Sequence, residues 1–251
     1  MAMRADADVA AATAGAPAAP SRCVLDCPPQ ALLFDLDGTL VDSVPDLTRC
    51  VNAALQALGR PPVSEAQVRG WVGNGAARLL HRALTGCRDG EAPAAQHAAA
   101  MAVFDAHYGA EPCRDSRLYP GVARTLAALR AHGLRLAVVT NKPEHFVGPL
   151  LAALGVADCF DAQVGGDSTA RLKPDPLPVE MALAELGCPA SDALLVGDSR
   201  IDMAAGRAAG VATVAVRYGY DPDCDFLAAG ALAVLDSLGE LPVLWGWPAA
   251  G

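Results

Sequence analysis

The chain has no Cys-x-x-Cys pair, although it carries eight cysteines. Cys23 and Cys27 lie close together, but no later cysteine or histidine pair completes zinc-finger spacing. A disulfide framework belongs to small secreted chains, so scattered cysteines in 251 residues read as free thiols in a reducing cytoplasm. The five histidines show no metal spacing within one helical turn and take no catalytic role. No run approaches the roughly 18–20 apolar residues of a membrane span. The alanine-rich stretch from Val9 to Ala19 makes a poor signal core, because Asp6 and Asp8 precede it and alanine is only weakly apolar. Positive charge is also scarce. With 19 Lys and Arg against 28 Asp and Glu, the net charge is −9, which argues against nonspecific nucleic-acid or anionic-membrane binding. Three tryptophans offer no regular stacking pattern for bases. Any anionic substrate must therefore be drawn in by a local cation.

What is present is rhythm. Residues 1–29, rich in Ala and Pro without periodicity, read as a disordered leader. A short buried-strand pattern, Ala31 to Phe34, stops at Asp35 and Gly38. Residues 45–117 then read as entirely helical. Pro45 sits in a first helical turn, Ser64 and Gln67 form a capping box, and an amphipathic face follows Gly75. That block is longer than a crossover requires and reads as an inserted cap domain. From Tyr119 onward strands and helices alternate, with strands expected near 134–139, 162–164, 193–196 and 212–216, the last closing the set. The pattern predicts an α/β fold: a doubly wound, Rossmann-like parallel sheet over 30–44 and 118–240, with right-handed crossovers. Such sheets bind ligands beyond the carboxyl ends of their strands.

Four polar clusters fall at those ends. Asp35 and Asp37 flank a turn that Gly38 permits, and two carboxylates in one pocket allow one to attack while the other moves protons. Asp198 and Asp202 lie four apart at a strand-to-helix junction, near one face. Two such charges about 4 Å apart repel by roughly 4 kcal/mol at an effective dielectric near 20. A cation is needed, and hard oxygen ligands at a phosphate site point to Mg²⁺. Thr140 and the backbone N–H of Asn141 suit a phosphate oxygen, and Lys173 before Pro174 supplies a positive charge. Singly, each has an ordinary reading as turn acid, strand threonine or surface lysine. Together they compose one site for aspartate-based phosphoryl transfer.

On these motifs the chain resembles the haloacid dehalogenase superfamily across residues 31–217. Its likeness to the bacterial phosphoglycolate phosphatase group rests on Phe34–Leu47, Trp71–Ala76, Tyr119–Val122, Val139–Pro143, Gly197–Arg200 and Tyr218–Tyr220. The resemblance implies Asp35 as nucleophile, forming an aspartyl-phosphate, and Asp37 as acid and then base. It implies Mg²⁺ held by Asp35, the backbone carbonyl of Asp37 and Asp198, with Asp202 supporting. Thr140, Asn141 and Lys173 would neutralise the phosphoryl oxygens. The implied substrate is a small phosphorylated metabolite, 2-phosphoglycolate, with a sugar or amino-sugar-acid phosphate as the alternative; a mutase or a non-catalytic phosphate-binding protein stands further off. The turn Gly73, Asn74 and Gly75 is the part of the cap expected to reach the site. Arg78 and Arg82, just after it, are candidates for a substrate carboxylate, with a solvated helix face the plainer reading. The expected protein is cytoplasmic, a monomer or small homo-oligomer, without nucleic-acid or membrane partners.

Overall fold

A computed structural model describes residues 27–250, so Cys23 and residues 1–26 of the expected leader lie outside the described residues. The chain enters on β1 (Ala31–Phe34), turns into β2 (Val41–Asp42) and leaves through four helices: α1 (Val44–Ala57), α2 (Glu65–Arg69), α3 (Gly75–Thr85) and α4 (Ala94–Ala110). It returns on β3 (Arg117–Leu118) and continues as α5 (Val122–Ala131), β4 (Arg135–Val139), α6 (Glu144–Ala153) and β5 (Ala162–Val164). Then come α7 (Leu177–Leu186), β6 (Ala193–Gly197), α8 (Arg200–Ala208), β7 (Ala212–Val216), β8 (Ala233–Leu235) and a 3₁₀ segment, Leu238–Trp245.

Successive strand residues face opposite sides, so β1 serves two cores. Leu32 and Phe34 join one cluster with side chains of α5, α6 and the 3₁₀ segment. Ala31 and Leu33 join the other, with α7 and α8. Four consecutive buried apolar residues therefore form a central strand covered on both faces. Burying a side chain such as Phe34, fully enclosed, stabilises by roughly 1.5–3 kcal/mol.

The strand order β5-β4-β1-β6-β7-β8 is parallel throughout. After β1 the chain builds outward through β4 and β5, then crosses to β6 on the other side. The crevice at this reversal opens above the carboxyl ends of β4, β1 and β6. Strand β8 was not expected; the sheet does not close at β7. Its three residues lie in a stretch without a clear period of two, and pairing with β7 alone makes them a strand.

The helical unit has its own core, in which Val51, Leu55, Leu80, Phe104 and Tyr108 meet Phe146 of α6. Ser64 accepts from the Gln67 backbone and completes the capping box of α2. Strands β2 and β3 pair antiparallel at the stem, Val41 opposite Leu118 and Asp42 opposite Arg117, a contact that the long stretch of chain between them hides from the sequence. Asp46 ties the stem shut. Its carboxylate accepts from the backbone N–H groups of Asp115 (2.9 Å) and Ser116 (2.8 Å) and from Ser116 Oγ (2.7 Å), and it pairs with Arg49 at 3.0 Å. Burial opposes its charge, but these donors outweigh it and hold the carboxyl below its ordinary range.

Candidate active site

Asp35 follows β1 directly, and its backbone N–H donates to Val196 O at 2.9 Å, which pins the residue between β1 and β6. Lys173 Nζ stands 2.9 Å from Asp35 Oδ1, donates to Asp202 Oδ1 at 2.7 Å and to Val139 O at 2.6 Å. The contact to Asp35 is a charge contact without hydrogen-bond alignment, since Oδ1 is buried and has no aligned donor. Lys173 is 2 % exposed. Burial disfavours its charge, yet Asp202 and Asp35 hold the ammonium above its ordinary value.

Asp198 lies just beyond β6. It accepts from Thr39 Oγ1 at 2.8 Å and from the Tyr220 backbone N–H at 2.7 Å. Two glycines make room for it. A Cβ on Gly38, whose φ is +99°, would lie 2.3 Å from Asp198 Oδ2, and one on Gly219 would lie 2.1 Å from Asp198 Cβ. Asp202 caps α8 through Ser199, accepting from its N–H (3.1 Å) and Oγ (2.7 Å). Both of its oxygens are thus engaged.

Carboxylate oxygens of Asp35, Asp198 and Asp202 all lie within 4.8 Å of one another. Burial, partly offset by Lys173, pushes the Asp35 carboxyl up to about 6. Burial and then Asp35 and Asp202 push Asp198 well above the carboxylate range. One lysine does not neutralise three enclosed acids. The all-oxygen donor set, with an Asp35 oxygen lacking an aligned donor, fits a hard divalent cation.

Asp37 goes elsewhere. Its carboxylate is held at both oxygens by Lys142 Nζ, at 3.1 and 3.0 Å, and Lys142 is 5 % exposed. Burial opposes the lysine charge, but Asp37 and Tyr108 raise its affinity for the proton. The ammonium also lies 4.5 Å from the centroid of the Tyr108 ring, a cation–π distance. Lys142 follows Asn141 in the sequence, yet no local pattern announces its partner.

Thr140 ends β4, and its Oγ1 accepts from the Lys142 backbone N–H at 3.2 Å, fixing the loop. The side chain of Asn141 makes three hydrogen bonds. Its Nδ2 donates to Gly73 O and to Lys173 O, both at 2.9 Å, and its Oδ1 accepts from Lys173 N at 2.9 Å. One carboxamide therefore joins the helical unit, the β4 loop and the lysine loop. Gly73 and Gly75 both have positive φ, and a Cβ on Gly75 would approach Asn141 O to 3.0 Å. Asn74 is held by Arg82, whose guanidinium donates to Asn74 Oδ1 at 2.9 Å and to the carbonyls of Trp71 (2.5 Å) and Arg88 (2.9 Å). Arg82 is buried, not on a solvated face, and two of its five N–H donors brace the turn through Trp71 and Asn74. Arg78 pairs with Glu91 and with Asp89 at 3.7 Å. Two cavities meet at Asp35 and Asp37, divided by Val72 and Gly73. One is a narrow, mostly apolar chamber of about 40 Å³, and the other is a polar cleft of about 340 Å³ reaching Asp198 and Arg200.

The chain belongs to the haloacid dehalogenase-like hydrolases, a family that matches residues 29–210. Within that family it is an enzyme of the phosphatase class. It is 42 % identical over 213 residues to a phosphoglycolate phosphatase of Nitrosococcus oceani, covering 85 % of this chain and 95 % of the relative. It is 44 % identical over 226 residues to a phosphoglycolate phosphatase of Rhodospirillum rubrum, covering 89 % and 93 %. The fold is similar to a crystal structure from Haemophilus somnus described as a predicted phosphoglycolate phosphatase, with a TM-score of 0.80, 37 % identity, and coverage of 86 % and 97 %. Among the described residues no helix is long and apolar enough to cross a membrane.

Proposed function

We propose that this phosphatase hydrolyses 2-phosphoglycolate to glycolate and phosphate with the help of Mg²⁺. The observation that carries the chemistry is the meeting of Asp35, Asp198 and Asp202 within 4.8 Å at the carboxyl edge of the sheet, with the Lys173 ammonium against Asp35 and Asp202. The relatives' substrate name carries the choice of metabolite.

Asp35 attacks phosphorus, since its carboxylate faces the meeting point of both cavities and is not tied up by an aligned donor. Asp37 delivers a proton to the departing alkoxide and takes one from the water that hydrolyses the aspartyl-phosphate. Lys142 holds both oxygens of Asp37 and so fixes its orientation. Lys173, Thr140 and the Asn141 N–H offset the charge that builds on the phosphoryl oxygens. A divalent cation held by Asp35, the Asp37 carbonyl and Asp198 would polarise the phosphoryl group and relieve the repulsion among the acids. The helical unit, through Gly73, Asn74 and Gly75, acts as a cap that excludes water and selects the leaving group.

The test ranks kcat/KM of the purified chain with Mg²⁺ over phosphoglycolate and a panel of sugar phosphates. A preference for phosphoglycolate of at least tenfold is expected, with activity lost on chelation. Comparable constants throughout would reduce the enzyme to a general phosphatase, and a preference for a sugar phosphate would move it to the alternative.

A further inference from the structure

The narrow chamber behind Asp35 and Asp37 holds a combination that the phosphoryl chemistry does not use. Its walls are apolar, with Leu79, Phe104 and Phe146 among them. Two residues that carry polar groups line it from different parts of the fold. Lys142 comes from the loop after β4, and Tyr108 comes from α4. Tyr108 is completely buried, yet its hydroxyl has no hydrogen-bond partner. Leaving such a group unpaired is costly, and a small apolar residue would avoid the cost. Lys142 Nζ contacts both oxygens of Asp37 and, with three N–H groups, also interacts with the nearby Tyr108 side chain, although no aligned bond satisfies the phenol.

We propose that Lys142 and Tyr108 form a carboxylate-recognition site in this chamber, selecting a phosphomonoester whose leaving group is a short 2-hydroxy acid. This inference rests on the phosphoglycolate reading and supplies the residues that would enforce it. Two donors from a lysine ammonium and a phenol match the two oxygens of one carboxylate. Dry walls strengthen the attraction that water would otherwise screen. Size points the same way. A water-sized occupant needs roughly 10–15 Å³ on this scale, so about 40 Å³ admits the few non-hydrogen atoms of a carboxymethyl group and excludes a sugar ring. The phosphoryl group then sits at Asp35, where the chamber opens, and the ester oxygen passes Asp37 on the way in.

Tyr108→Phe separates recognition from folding. It removes only an unpartnered buried hydroxyl, so the free protein should melt at the same temperature or higher. The full-length variant, with Mg²⁺, is assayed on phosphoglycolate and on ethyl phosphate, which has the same length and no carboxylate. The ratio of the two kcat/KM values should fall at least tenfold, chiefly through KM for phosphoglycolate. Glycolate binding, followed by calorimetry, should weaken by the same factor in Tyr108→Phe and in Lys142→Met. An unchanged ratio with unchanged glycolate affinity overturns the site, as does a Tyr108→Phe protein that loses both substrates equally and melts lower. Wild-type protein that fails to cleave phosphoglycolate, yet binds glycolate through Tyr108, would refute the proposed reaction and leave this site standing.

Discussion

Replacing Asp35 by Asn should make the metal-free protein more stable while ending its activity. Asp35 shares a buried corner with Asp198 and Asp202, and burial lifts its carboxyl to about 6. Below the ordinary value near 3.8, Asp35 is protonated in both folded and unfolded chains, so it costs nothing. Between there and about 6 the folded protein holds a proton that the unfolded chain has released, and stability falls as pH rises. Above that window the folded state carries the whole penalty. The displacement from 3.8 to about 6 corresponds to about 3 kcal/mol. Asparagine gives back part of it, because its amide is also buried and attracts Lys173 less. A net gain of about 1–2 kcal/mol at pH 8, or about 2–8 °C in a chain of this size, is the expected result. Near pH 4 the difference should shrink toward zero. Thermal unfolding in EDTA at both pH values measures the stability, and phosphate release with Mg²⁺ measures the activity. A variant less stable than wild type at pH 8, or an equal effect at both pH values, would refute the electrostatic argument. Wild-type turnover would refute the assignment of the nucleophile.

Gly38→Ala forces a side chain onto φ +99° and sets its Cβ 2.3 Å from Asp198 Oδ2; Mg²⁺ affinity should fall about 10- to 100-fold, as for other disturbed supports of a metal ligand, read from the Mg²⁺ dependence of kcat. Asp46→Asn loses charge-assisted bonds at the stem and should cost about 1.5–3 kcal/mol at pH 7. The Asp46 carboxyl is held below its ordinary value of 3.8, so its contribution is present above that value and disappears as pH falls through the lower folded value; paired melts at pH 7 and in strong acid should show the gap closing. Asn141→Leu breaks three hydrogen bonds and strands their partners, for about 2–4 kcal/mol. Greater hydrogen exchange at Gly73 and Lys173 than at the distant strand β8 would locate the damage.

Much of the site was legible because strand ends are local events. The apolar run into Asp35, the glycine after Asp37 and the four-residue spacing of Asp198 and Asp202 each follow from a short-range period or turn. The stem strands were not legible, for two residues in each strand give no period. Arg82 reads as a surface residue on an amphipathic helix, and only folding shows three acceptors waiting for it. Tyr108 stands in an alanine-rich helix, where its bulk signals burial but not a cavity.

By itself the sequence determined the alternation that builds a parallel sheet and the acids and lysines offered at its rim, because periodicity and turn chemistry act over a few residues. Tertiary structure decided the pairings. Lys142 reaches Asp37 across 105 positions, while Lys173, 29 positions from Asp202, joins that acid to Asp35. The narrow chamber is enclosed by residues of α1, α3, α4 and α6 against the loop after β4. Such contacts arise from strand order and helix packing, which no local stretch of chain encodes, and they set Asp35, Asp37 and the apolar chamber in three distinct surroundings.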